Sequence, residues 1–301
     1  MNRPKPFWPR LLRIVFWAVC VYFALGFAVV AFLSKPQRRF DPAQNPGLHG
    51  APYQNVRFEA RGGDAELAAW FLPQPKPNAA LIMVHGKDGS RSREQAGRNP
   101  EFLAALHKQG FSVLAMDLRG HGESSEARFT FGGNEHRDVL GGFDFLKRQG
   151  FSKQRIGLHG VSMGAASVLM AAAREPEVRA VVADCSYADF GRLLQQQWSR
   201  RTHLPTFVMP ASRLVGQMWL GQDFMAIAPA AEVPRIKGKV LFIHAEQDTL
   251  VPPADSQQMH DKLPGSELWI QPKARHAAGF ATDPEAYLQK VSVFFTAQLR
   301  D

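Results

Sequence analysis

The stretch RIGLHGVSMGAASVLMAAA, residues 155–173, decides the fold. It opens as a short apolar run of strand type and closes as a small-residue run of helix type. Between them, Gly160-Val161-Ser162-Met163-Gly164 fits G-x-S-x-G, a sharp strand-to-helix turn that holds a serine hydroxyl clear of the fold. Glycine belongs on both sides because so tight a turn leaves no room for side chains beside the serine. The helix that follows aims its free N–H groups and the positive end of its dipole at the same point. Ser167, one turn on, is the nearby rival, but it lies inside the predicted helix with no turn to expose it. Three fixed positions also recur by chance, so the surrounding pattern must carry the reading.

That pattern is rhythmic. Residues 53–60 and 66–72 alternate around Arg61-Gly62-Gly63-Asp64 and predict a β-hairpin. Buried-type strands are expected at 80–84, 111–117, 155–159, 178–183, 239–244 and 267–271. Helices are expected at 100–109, 135–149, 163–174, 254–263 and 284–299. Strands alternating with helices give an α/β class, a mostly parallel central sheet flanked by helices, over residues 53–301. Residues 187–236 break the rhythm with no strand pattern, and a segment that long is expected to fold as a small helical cap.

A serine hydroxyl needs a base. Of the ten histidines, His276 lies in KARHAAGF, a turn between the last strand and the last helix, at the end of the sheet where loops can meet the elbow. His159 and His244 sit near strand ends and read as packing or hydrogen-bonding groups. The acid candidate is Asp248 in HAEQDTLVP, directly after a strand; Asp184, closing VVAD, and Glu246 are its rivals. The acid's task would be to hold the histidine tautomer and stabilise the imidazolium. Acyl transfer also needs two donors for an oxyanion. These are expected from the backbone N–H of Met163 and from that of Lys87 in the loop after LIMVHG. The run DLRGHGES, residues 117–124, reads as a glycine-rich loop in which Asp117 and Arg119 brace the rim of the site. No spacing suits a metal, and no cofactor motif is present.

The net charge of +9 is concentrated at one end. Seven basic residues and no acidic ones fall within residues 1–40, leaving the rest near neutral, which argues against nucleic-acid binding. Residues 14–33, IVFWAVCVYFALGFAVVAFL, carry no charge and would span about 30 Å as a helix, the thickness of a bilayer core. The run is too long for a cleaved signal peptide, and its small residues Ala28 and Ala31 lie inside it rather than after it. Residues 1–33 are therefore expected to be an arm and membrane anchor, and 34–52, rich in proline and glycine, a tether. Four basic residues before the span and three after it favour a cytoplasmic N-terminus and a domain on the far side.

Taken together, LIMVHG, FSVLAMDLRGHGES, RIGLHGVSMGAASVLMAAA, VRAVVADCSYAD, VLFIHAEQDTLVPP and ARHAAGF resemble the serial motifs of α/β-hydrolases. The chain is most similar to bacterial membrane-anchored hydrolases related to the prolyl-oligopeptidase and serine-aminopeptidase groups, over about residues 53–299. The resemblance implies Ser162 as nucleophile, Asp248 as acid, His276 as base, and Lys87 and Met163 as oxyanion donors. It also implies a serine hydrolase acting on a small-molecule ester or acyl substrate, lipid acyl groups among them. A serine peptidase and a silent membrane-tethered binding protein are the alternatives. Arg275 stands before the base, where the family usually has glycine.

Overall fold

The computed structural model describes residues 7–76 and 79–299. Eight strands form one sheet: β1 (Gln54–Glu59), β2 (Glu66–Leu72), β3 (Ala80–Val84), β4 (Ser112–Met116), β5 (Ile156–Val161), β6 (Ala180–Asp184), β7 (Lys239–Ala245) and β8 (Glu267–Gln271). Their order across the sheet is β1-β2-β4-β3-β5-β6-β7-β8. The β1–β2 hairpin and the β2–β4 pair are antiparallel, and every pair from β4 onward is parallel.

Period-two alternation of apolar residues builds the core on both faces. Along β3, Ala80, Ile82 and Val84 enter one hydrophobic cluster, while Leu81 and Met83 enter the other. Strands β4 and β6 divide in the same way, Leu114 and Met116 against Val113 and Ala115, and Val181 and Ala183 against Ala180 and Val182. Helices α3 (Glu135–Arg148) and α4 (Met163–Ala172) cover the first face; α2 (Asn99–Lys108) and α10 (Pro284–Gln298) cover the second. Two further helices follow β7 and β8, α8 (Pro253–Asp261) and the single-turn α9 (Gly279–Thr282). This is why the central strands read as continuous apolar runs rather than half-polar ones.

Among the described residues no strand occurs between Asp184 and Lys239; the chain there forms α5 (Phe190–Thr202), α6 (Met209–Leu220) and the single-turn α7 (Pro229–Glu232). Helix α1 spans Trp8–Leu33, 26 residues, so it begins before the uncharged run and includes Arg10 and Arg13. It is long and apolar enough to cross a membrane. Most of its side chains are exposed, and only Gly26, Val29, Val30 and Leu33 near its C-terminal end are buried. The segment read as a tether lies against the domain. The Arg38 guanidinium donates to the carbonyls of Gly122 and Ser124, Gln37 N–H donates to Asp88 Oδ1 at 3.0 Å, and Phe40 packs on Trp70.

Phe102 on α2 anchors the second face. It is fully buried against Phe280, Tyr287 and His159, with ring centroids 4.8, 5.3 and 5.5 Å away. Phe102→Ala should destabilise the protein by about 3–5 kcal/mol in denaturant unfolding, and a loss below about 1 kcal/mol would contradict this packing.

Candidate active site

Strand β5 ends where α4 begins, and Ser162 occupies the junction with φ 54° and ψ −116°. A non-glycine residue in that region costs roughly 1–3 kcal/mol and persists only where its surroundings impose it. Here they do. Ser162 N–H donates to Asp184 O at 2.8 Å, and its carbonyl accepts Ala166 N–H at 3.1 Å as the first bond of α4. A Cβ on Gly160 would lie 2.3 Å from Gly164 O, and one on Gly164 would lie 2.5 Å from the carbonyl oxygens of Val84 and His85. Neither position admits a side chain, so the turn closes directly against β3.

The loops after β7 and β8 reach the same point. His276 Nε2 lies 2.9 Å from Ser162 Oγ, and Nδ1 lies 2.6 Å from Asp248 Oδ2. The carboxylate must accept, so Nδ1 carries the hydrogen and Nε2 is left to accept from the serine. Burial opposes ionisation of Asp248, but hydrogen bonds from His244 and His276 outweigh it and hold the carboxyl well below the usual range. Its other oxygen accepts the N–H groups of Leu250 and Val251 at 2.8 and 2.9 Å. His244 is itself fixed: its Nε2–H is shared between Val251 O at 3.0 Å and Asp248 Oδ2 at 3.4 Å, and Nδ1 accepts from Ser256 Oγ.

The rival residues lie elsewhere. Asp184 is buried and accepts from Tyr287 OH at 2.7 Å, burial pushing its carboxyl upward. Glu246 accepts Lys273 N–H. Ser167 donates to Met163 O at 2.8 Å inside α4.

Facing Ser162 is the loop after β3. Gly86 N–H donates to Glu94 Oε2 and Asp88 N–H donates to His121 Nε2, so the amides on either side of Lys87 are pinned. Among the described residues, the N–H groups of Lys87 and Met163 have no acceptor. His85 and His121 are both buried, and burial lowers each to about 4, which keeps them neutral. Their Nδ1–H groups donate to Gly86 O and Arg119 O, leaving Nε2 of each to accept the backbone N–H of Leu118 and Asp88 respectively. Asp117 pairs with Arg91, and Arg119 with Asp138 and Asp64, so DLRGHGES braces the loop from below. The Lys87 side chain pairs with Asp88.

Cys185 escaped the sequence reading of the site. Its Sγ lies within 4.8 Å of one ligand atom each from Asp248 and His276. A metal there would have to take a nitrogen or oxygen already engaged in the chain of hydrogen bonds. It would also have to ionise a thiol that burial, and then Asp184 and Asp248, push well upward. The donor set therefore fits a proton relay better than a metal centre. Glu94 also went unseen, because no periodicity marks it and its partner Gly86 lies in an irregular loop. Nothing local in the sequence signals it.

A mostly parallel eight-stranded sheet, with a serine elbow after β5 and a histidine after β8, defines an α/β-hydrolase. Residues 99–301 match the prolyl oligopeptidase family, and the chain belongs to that family. It is 28% identical over 226 residues to the Bacillus subtilis protein YqkD, an uncharacterized protein, covering 74% of this chain and 72% of that one. It is 27% identical over 217 residues to the human serine hydrolase BPHL, covering 65% and 72% of the two chains. The Pyrococcus furiosus esterase Pf2001 superposes with a TM-score of 0.72 at 25% identity, covering 88% of this chain and 98% of that one. The protein is a serine hydrolase.

Burial raises the Glu94 carboxyl to about 7, against the opposing pull of the Gly86 and Gln95 N–H groups. A carboxyl raised in the folded state contributes stability that is full below its unfolded value of 4.5 and is lost as pH rises through about 7. Glu94→Gln removes that dependence. The melting temperature of the wild type relative to Glu94→Gln should fall between those two pH values and then level off; a difference that stays constant with pH would contradict it.

Proposed function

We propose that Ser162 is the nucleophile, His276 the general base and Asp248 the acid of a triad that hydrolyses carboxylic esters through an acyl-enzyme. One observation carries this reading: the continuous chain Ser162 Oγ, His276, Asp248, set beside two unengaged amides at Lys87 and Met163. His276 Nε2 takes the hydroxyl proton as Oγ attacks the carbonyl carbon. The Lys87 and Met163 N–H groups receive the oxygen as its charge develops, already aligned and at no further cost in reorganisation. The imidazolium, held by Asp248, returns its proton to the leaving alcohol, and water then repeats the sequence on the acyl-enzyme.

The cavity of about 440 Å³ over Ser162 supports an ester rather than a peptide substrate. Its apolar wall includes Phe131, Phe190, Leu193 and Val251. Its two carboxyl groups are already engaged, Asp88 by Lys87 and Gln37 N–H, and Glu94 by Gly86 N–H. Neither is left to grip the α-amine of a peptide. The family match favours a peptidase as the second reading. Residues 187–236 act as a cap that sets substrate range. Residues 14–33 anchor the chain in a membrane with the domain on the non-cytoplasmic side, and 34–52 join the two.

Ser162→Ala should abolish ester turnover, and Asp248→Asn should lower kcat on the order of ten-thousandfold with the fold intact. Substantial ester hydrolysis by Ser162→Ala would end the assignment. Turnover of an aminoacyl amide at a rate near that of its matched ester would favour the peptidase reading. The protein should stay in the membrane pellet through an alkaline carbonate wash, and its full release would refute the anchor.

A further inference from the structure

A second cavity of about 440 Å³ adjoins the one over Ser162. The two share Lys87, Phe131, Phe190, Leu193 and Arg201 as walls. The outer cavity is closed on one side by Leu194 and Gln197 of α5, and on the other by Phe32, Leu33 and Pro36 at the end of α1. The way out from Ser162 in this direction therefore passes beneath the last turn of the membrane helix.

Helix α1 is packed on the cap as closely as backbones allow. A Cβ on Gly26 would lie 2.8 Å from the Ala211 carbonyl carbon and 2.9 Å from Ser212 N, both on α6. Small residues of this kind are how helices approach one another in lipid. Two stacked aromatic pairs flank the contact, Phe27 with Trp219 at 4.5 Å and Tyr22 with Phe207 at 6.4 Å. The same part of the cap leaves Phe207 65% exposed and Met218 80% exposed, with Leu214 and Trp219 also in the open. Soluble surfaces seldom leave such a patch uncovered. The aromatic pairs make it continuous with the exposed apolar flank of α1, so the bilayer that holds α1 covers it. The one charged residue of α6, Arg213, is paired with Asp223 at 2.6 Å.

The polar level follows at once. Arg128 donates to Ala31 O and Ser34 Oγ at 2.8 and 3.2 Å, with its guanidinium over the Trp219 ring at 4.3 Å. Lys35 and Arg201 then line the outer cavity itself. Lys35 thus adds a cation to the shared Arg201 where the end of the spanning helix would meet lipid headgroups.

Resting on the hydrolase and anchor readings above, we propose that α1 and α6 enter the membrane together, and that the substrate is a long-chain acyl ester with an anionic headgroup drawn from the bilayer. Its acyl chain would lie along Phe131, Phe190 and Leu193, and its headgroup would meet Lys35 and Arg201. The bond between the acyl carbon and the headgroup oxygen breaks. That oxygen takes the proton from His276, and water releases the fatty acid from Ser162.

The test reconstitutes the full chain in phosphatidylcholine vesicles carrying monooleoyl phosphatidylglycerol, with soluble p-nitrophenyl butyrate and fluorophosphonate labelling as controls. Leu214→Glu with Met218→Glu alters the lipid-facing patch of α6 and spares the aromatic pairs that hold α1 on the cap. It should keep labelling and butyrate hydrolysis while losing vesicle-lipid hydrolysis by about tenfold or more, given the cost of charge in a membrane. Leu193→Trp, on the wall assigned to the acyl chain, should shift the preferred acyl length downward, lowering the oleoyl-to-butyrate ratio by about tenfold. Undiminished vesicle-lipid hydrolysis by the double variant would overturn membrane entry. Hydrolysis of butyrate but not of the vesicle lipid by the wild type would overturn the substrate class. Equal rates on monooleoyl phosphatidylcholine would overturn the anionic headgroup. A wild type that neither labels nor hydrolyses either ester would bring down the hydrolase reading and this one with it.

Discussion

Everything at the site depends on the backbone of Ser162. Its positive φ is maintained by Gly160 and Gly164, which let the turn close against the carbonyls of Val84 and His85, and by the Ser162 N–H bond to Asp184 O. Ser167, inside α4, instead donates its hydroxyl to Met163 O one turn back. The strain is small beside the core that imposes it. Strands β3, β5 and β6 lie side by side in the middle of the sheet and are buried along their whole length.

From this fixed point the polar groups are arranged in pairs of supported and supporting atoms. Asp248 orients His276 and is itself held by His244 and by the N–H groups of Leu250 and Val251. Glu94 and His121 hold the amides on either side of Lys87, and His85 ties the same loop to Leu118. Keeping both histidines neutral matters, because each must accept a backbone N–H through Nε2. Protonation would turn an acceptor into a donor facing another donor.

Much of this was legible in the sequence, because it rests on short-range pattern. The buried strands and their helices follow from runs of apolar residues, and the elbow from glycine spacing around Ser162. Asp248 could be singled out because it directly follows a strand, and His276 because it lies in the turn between the last strand and the last helix, which gives the chain order Ser162, Asp248, His276. What stayed hidden joins residues remote in sequence or irregular in conformation: Glu94 on Gly86, Cys185 beside Asp248, and Gly26 of α1 on Ala211 of α6. The proline and glycine content of residues 34–52 suggested a tether, yet hydrogen bonds from Gln37 and Arg38 lay that segment along the domain. Composition reports local backbone preference and is silent on such distant partners.

The most direct measurement is the structure of the protein after reaction with an alkyl phosphonate, whose tetrahedral phosphorus stands in for the carbon under attack. The account predicts a covalent bond to Ser162 Oγ, with the phosphonyl oxygen about 3 Å from the N–H groups of both Lys87 and Met163. An adduct on another residue, or an oxygen turned away from those two amides, would contradict it.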